Sequence, residues 1–153
     1  MHGFEFTEEE WRVIRLTPWL VAGLVIDAGP GGPISERREL NAVMRDLDTA
    51  ALTTDHRHLV RAIAADLVAD SSRDSLRAVN HRDEWATRLT EVLDVVHEKA
   101  PAADEADFRE WLYEIATDVA EAAHDELRFR GPRVSENERH VLDALNEILE
   151  PSG

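Results

Sequence analysis

Three carboxylate–histidine pairs at helical spacing are the residues of this chain best suited to chemistry: Asp55-x-x-His58, Asp94-x-x-His97 and Glu121-x-x-His124. Such pairs on two helices of a bundle, joined by partner glutamates, make a di-iron or di-manganese carboxylate centre when every ligand faces inward. Helical periodicity argues against that orientation. With Ile115 at the centre of a buried face, Glu121 and His124 lie about 120° and 180° away at ~100° per residue. Asp94 falls about 160° from Val92. His58 directly precedes Leu59 and is off its stripe, whereas His56, three residues before Leu59 and seven before Ile63, reads as inward. A lone histidine there is a satisfied core residue more readily than a ligand. A metal-carboxylate bundle enzyme is thus an alternative reading, with His56 and His124 as the residues to test.

Two further carboxylates border apolar stripes. Asp66 follows Ile63 by three residues and Asp118 follows Ile115 by three. A buried carboxylate has to be paired or hydrogen-bonded, and Arg12, Arg15 or an arginine elsewhere could pair with Asp66. Both acids read as structural ion-pair members. The chain has no cysteine, which excludes disulfides, thiolate catalysis, zinc fingers and iron–sulfur clusters. The glycine-rich run lacks the lysine of a phosphate-binding loop and follows no strand. Neither loop spells an EF-hand, and no nucleophile elbow is present. No catalytic residue is predicted, and the chain reads as non-enzymatic.

The elements that would position these residues are helical throughout, with no sustained period-two alternation. Thr7 and Glu10 form a capping box, with Phe6 and Trp11 at hydrophobic-staple spacing. Pro18 kinks or splits the first helix. Residues 19–26 are apolar nearly all round, which requires burial on most sides. The run Asp27-Ala28-Gly29-Pro30-Gly31-Gly32-Pro33 is a loop, and Ser35 caps a helix carrying Leu40, Val43, Met44 and Leu47 inward. A third helix covers about 55–70, with Leu59, Ile63 and Leu67 inward. Trp85, Leu89, Val92 and Val96 form a stripe ended by Pro101. Asp104 or a neighbour caps the next helix, which carries Phe108, Leu112, Ile115 and Val119. A loop near Gly131-Pro132 leads to a second capping box, Ser135 with Glu138, and to Val141, Leu145, Ile148 and Leu149. Trp11, Trp19, Trp85 and Trp111 read as core. The expected fold is all-α, one domain over 1–153, a compact bundle of six or seven helices.

Two stretches, about 19–47 and 111–149, repeat one pattern. Trp19-Leu20, a Gly-Pro loop and Ile34-Ser35-Glu36 are matched by Trp111-Leu112, Gly131-Pro132 and Val134-Ser135-Glu136. The stretch Asp27-Ala28-Gly29 with Ile34-Ser35-Glu36-Arg37-Arg38-Glu39-Leu40 resembles the helix–loop–helix signature of the TerB-like families, related to bacterial tellurite-resistance protein B. The resemblance covers about 30 residues of the first unit and about 40 of the second. It implies a small all-α protein of two pseudo-repeated hairpins in a stress or tellurite-resistance system. It also implies that Asp27, Glu36 and Glu39 are the acidic positions of the first unit, and Glu136 and Glu138 those of the second. A divalent cation, calcium or magnesium, is the ion such positions would hold. A glutamate at a helix N-terminus is also favoured by the helix dipole alone.

Charge narrows the partners. The formal charge is −15, from 32 acids and 17 bases, and Lys99 is the single lysine. Such a surface repels phosphate backbones, so nucleic acid is not an expected partner. Residues 91–126 hold 12 acids against Lys99 and Arg109. This segment is either a solvated face or the docking surface for a basic protein partner. No apolar run reaches the ~20 residues of a membrane span, and residues 1–10 lack the order of a signal peptide. The expected location is cytoplasmic. The reading is a TerB-like accessory and interaction module; a structural subunit of a larger assembly is a further alternative, and a homo-oligomer is left open.

Overall fold

The computed structural model describes residues 4–28, 33–52, 57–70, 84–123 and 136–150. Phe4 and Phe6 lead into α1 (Glu8–Arg15), whose cap is the expected one. Thr7 Oγ1 accepts from the Glu10 N–H at 3.0 Å, and Glu10 Oε1 accepts from the Thr7 N–H at 2.8 Å. The staple forms too, with the Phe6 and Trp11 rings stacked at 6.2 Å. Pro18 splits the segment. Leu16 makes a turn and α2 (Thr17–Ala28) starts afresh, placing the proline near a helix N-terminus, where its missing donor costs nothing. Thr17, buried at the junction, donates from Oγ1 to the Ile14 carbonyl at 2.6 Å.

α2 is buried along nearly its whole length, from Trp19 to Val25. It packs against α1, α3 (Pro33–Ala51), α5 (Trp85–Lys99), α6 (Ala102–Ala123) and α7 (Glu136–Leu149). The longest helix, α6, is the second centre, touching α2, α3, α4 (His58–Asp70), α5 and α7. Its Phe108, Leu112, Ile115 and Val119 are fully buried, as the 4-3-4 spacing predicts. The predicted stripes of α4 and α5 also face the core: Leu59, Ile63 and Leu67 on one, Leu89, Val92 and Val96 on the other. Among the described residues the architecture is all-α, seven helices around one apolar core, with no strand.

Four expectations need correction. α2 continues through Asp27 and Ala28, so the loop is shorter than expected. α3 begins at Pro33, which leaves Ser35 inside its first turn rather than at its cap. The α3 and α7 stripes are rotated. Val43 and Leu47 are buried, but Met44 is 39% exposed, and the stripe runs through Glu39, Ala42 and Ala50 instead. On α7 the buried line is Glu138, Leu142, Leu145 and Leu149, with Val141 and Ile148 at its edge. Finally, Asp104 lies inside the first turn of α6 and serves α4: its Oδ1 accepts from the Leu59 N–H at 3.4 Å. The second capping box involves Ser135 and falls outside the described residues, as does His56.

Candidate functional site

Among the described residues the carboxylate–histidine pairs are not gathered. His97 is exposed and pairs with Glu105 rather than with Asp94, its Nδ1 lying 3.0 Å from both carboxylate oxygens. His58, Asp94 and Glu121 all face solvent. Asp55, His56 and His124 lie outside the described residues. Among the described residues no three Asp, Glu or His side chains are arranged to hold a metal ion.

The acids singled out by resemblance divide into three kinds. Asp27 is in the last turn of α2 and Glu36 in the first turns of α3, and the side chains of both lie outside the described set. Glu136 opens α7 and is exposed. Glu39 and Glu138 are 0% exposed. Each sits four residues before a buried aliphatic, Val43 and Leu142, and each is engaged by a polar or electrostatic contact. A carboxylate so placed requires that engagement, because desolvating it alone costs several kcal/mol, about. These two acids therefore belong to the packing of α3 and α7.

The acidic segment does form a surface. On α6, Glu110, Glu114, Asp118 and Glu121 are all exposed, and their spacing puts them within about 80° of arc, whose centre lies about 100–120° from Phe108 and Ile115. Glu91, Asp94 and Glu98 make a similar exposed line on α5. Among the described residues one cation crosses the α6 line. Arg57, at the head of α4, binds Glu114 with two guanidinium nitrogens at 3.0 and 3.3 Å and approaches Glu110 at 3.4 Å. Hydrogen bonding to Glu114 holds the Arg57 proton more tightly than usual. Arg57 has φ 57°, a left-handed conformation that disfavours a side chain bearing Cβ. The Arg57 carbonyl nevertheless accepts from the Arg61 N–H at 2.8 Å and so starts α4.

Next to this line, Asp46 of α3 faces Asp118. Burial pushes the Asp46 carboxyl up to about 7, and the Asp118 and Glu114 charges add to the rise against the opposing effect of Arg45. Two carboxylates cannot hydrogen-bond until one is protonated, and Asp46, whose buried Oδ2 has no donor, is the one that takes the proton. Asp118 is thus exposed and faces another acid, not the structural ion-pair member expected. Asp46 itself carries no signal in the sequence, because its burial is created by α6 lying across it.

Asp66 is paired as expected, with one choice settled. Arg15 Nε lies 3.7 Å away, and Trp11 Nε1–H donates to Oδ2 at 2.8 Å, tying α1 to α4. Trp19 and Trp111 are core residues, whereas Trp11 and Trp85 are only partly buried. Comparison of the chain with protein-family models, with curated proteins and with solved structures finds no match.

Proposed function

We propose that this chain is a non-enzymatic interaction module of the TerB-like kind that engages an arginine- or lysine-rich protein segment along the acidic face of α6. The observation that carries the reading is the exposed line Glu110, Glu114, Asp118 and Glu121, over which Arg57 is the bound cation among the described residues. The elevated proton affinity of Asp46 beside it comes first from burial, and the Asp118 and Glu114 charges that add to it are part of the same acidic face. The TerB-like element rests on two hairpins, α2–α3 and α6–α7. In each, a central helix carrying a Trp-Leu pair is followed by a helix with a buried glutamate. A cytoplasmic role in a stress or tellurite-resistance system belongs to the same proposal. So does calcium or magnesium near Asp27, Glu36 and Glu136, with Glu39 and Glu138 behind them.

The test is titration with a lysine-rich peptide by calorimetry at several salt concentrations. Binding should weaken steeply as salt rises. Combining Glu114→Gln, Asp118→Asn and Glu121→Gln should weaken it by about tenfold or more at low salt. Equal affinity in wild type and variant would remove α6 as the docking face. Calcium and magnesium titrations that give neither heat nor a thermal shift would remove the cation.

A further inference from the structure

We propose that the groove between α1 and α4 binds an organic anion with an aromatic body, its carboxylate or phosphate group held by Arg12. In a chain of formal charge −15 this groove inverts the local sign. Arg12 and Arg15, one turn apart on α1, line it together with His58 and Arg61, one turn apart on α4. Asp66 and Glu8 are the acids in the lining. Asp66 is already engaged by Trp11 and Arg15. Arg12 is exposed to the groove and makes no hydrogen bond or ion pair with the described residues. Screening confines the influence of the acidic lines elsewhere to about 8 Å at physiological salt, so an anion in the groove feels mainly its own walls.

The walls suit more than a bare anion. Phe4, Phe6 and Trp11 stack in succession, with centroids 5.8 and 6.2 Å apart, into a continuous aromatic side. Trp11 is held by its bond to Asp66, so this face is ordered in advance of binding. Ala62, Ala65 and Ala69 recur along the α4 side, where small side chains keep the groove open. Its volume is about 1220 Å³, ample for a drug-sized molecule. A flat apolar body covers the aromatic side while the Arg12 guanidinium takes the acid through charge-assisted, bidentate hydrogen bonds. An amine of the same shape meets the arginines with the wrong sign, and inorganic phosphate gains nothing from the rings. The site is separate from the α6 face and stands or falls independently of it.

NMR of the full chain reads the site directly through the Trp11 indole N–H, assigned by its loss in Trp11→Phe. Phenylacetate and phenyl phosphate should each shift this resonance saturably, and the tighter of the two identifies the preferred acid group. Phenethylamine should leave it in place, and inorganic phosphate should bind at least about tenfold more weakly than phenyl phosphate. Arg12→Ala, at an exposed and unbonded side chain, should retain the wild-type circular dichroism and melting temperature while lowering affinity about tenfold. The proposal is overturned by an unmoved Trp11 at millimolar aryl anion, by inorganic phosphate matching phenyl phosphate, or by an unchanged affinity in Arg12→Ala. It is equally overturned if a polyglutamate peptide shifts Trp11 where the aryl anions do not, which would make the groove a peptide site.

Discussion

Asp46 has one oxygen buried without a donor, Asp118 and Glu114 facing it from α6, and Arg45 as its compensating charge. Its carboxyl is raised to about 7 in the folded chain against an ordinary value of 3.8. The folded state therefore holds a proton that the unfolded state has released between about pH 4 and 7, so stability falls as pH rises through that window. Because the group is only half-buried, solvent reduces the effect to about 1–2 kcal/mol. Asp46→Asn removes the charge and keeps the shape, and its amide can donate to Asp118. At pH 8 the variant should melt about 3–6 °C above wild type, with the difference closing near pH 4. Melting temperatures across this range check it, and a variant less stable than wild type at pH 8 would show that the Asp46 charge is favourable where it stands.

At the scale of elements, Arg109 shows how one side chain couples two helices. From α6 it donates to the Ile148 and Leu149 carbonyls at the end of α7, at 3.2 and 3.3 Å, and to Glu105 at 3.2 Å. Those carbonyls are among the four a helix end leaves unsatisfied, at the negative end of its dipole. Desolvation alone would raise the Glu105 carboxyl; the His97 and Arg109 hydrogen bonds outweigh it and hold it below its ordinary range. Glu105 thus contributes stability at neutral pH that is lost as pH falls through its lowered value. Arg109→Met keeps most of the stem and removes the donors. It should cost about 1–2 kcal/mol at pH 7 and reduce the acid-side loss. Hydrogen exchange should accelerate in α7 more than in α1; uniform acceleration would rule out a local cap. The helices themselves were readable from periodicity wherever the stripe is wholly apolar, as in α4, α5 and α6. In α3 and α7 the stripe includes Glu39 and Glu138, which hydropathy assigns to the surface, so the inferred face rotated and Met44 fell on the wrong side. The Trp11–Asp66 bond joins residues 55 apart. Neither it nor the groove it frames can be seen until α1 meets α4, although Arg15 was readable as a partner for Asp66.

For the whole molecule, the excess of 32 acids over 17 bases sets how the fold responds to salt. Among the described residues the ion pairs include Lys99 to Glu10 at 2.6 Å, Arg57 to Glu114 and Arg109 to Glu105. Glu91, Asp94 and Glu98 on α5 join no ion pair among the described residues, and the α6 line has Arg57 alone. Exposed pairs contribute about 0–1 kcal/mol each, whereas repulsion among unpaired acids acts on every helix that carries them and grows with the net charge. Screening should relieve more repulsion than it removes attraction. The melting temperature should therefore rise by several degrees, about 3–6 °C, between about 0.05 and 0.5 M sodium chloride, most of it in the lower half of that range. Glu91→Gln, Asp94→Asn and Glu98→Gln together should raise the low-salt melting temperature and flatten the salt response. A monotonic fall with salt would mean that the few pairs dominate and that the acidic faces are electrostatically quiet. That outcome would also weaken the case for a basic partner, because a docked cationic segment draws its affinity from the same unrelieved repulsion that salt screens.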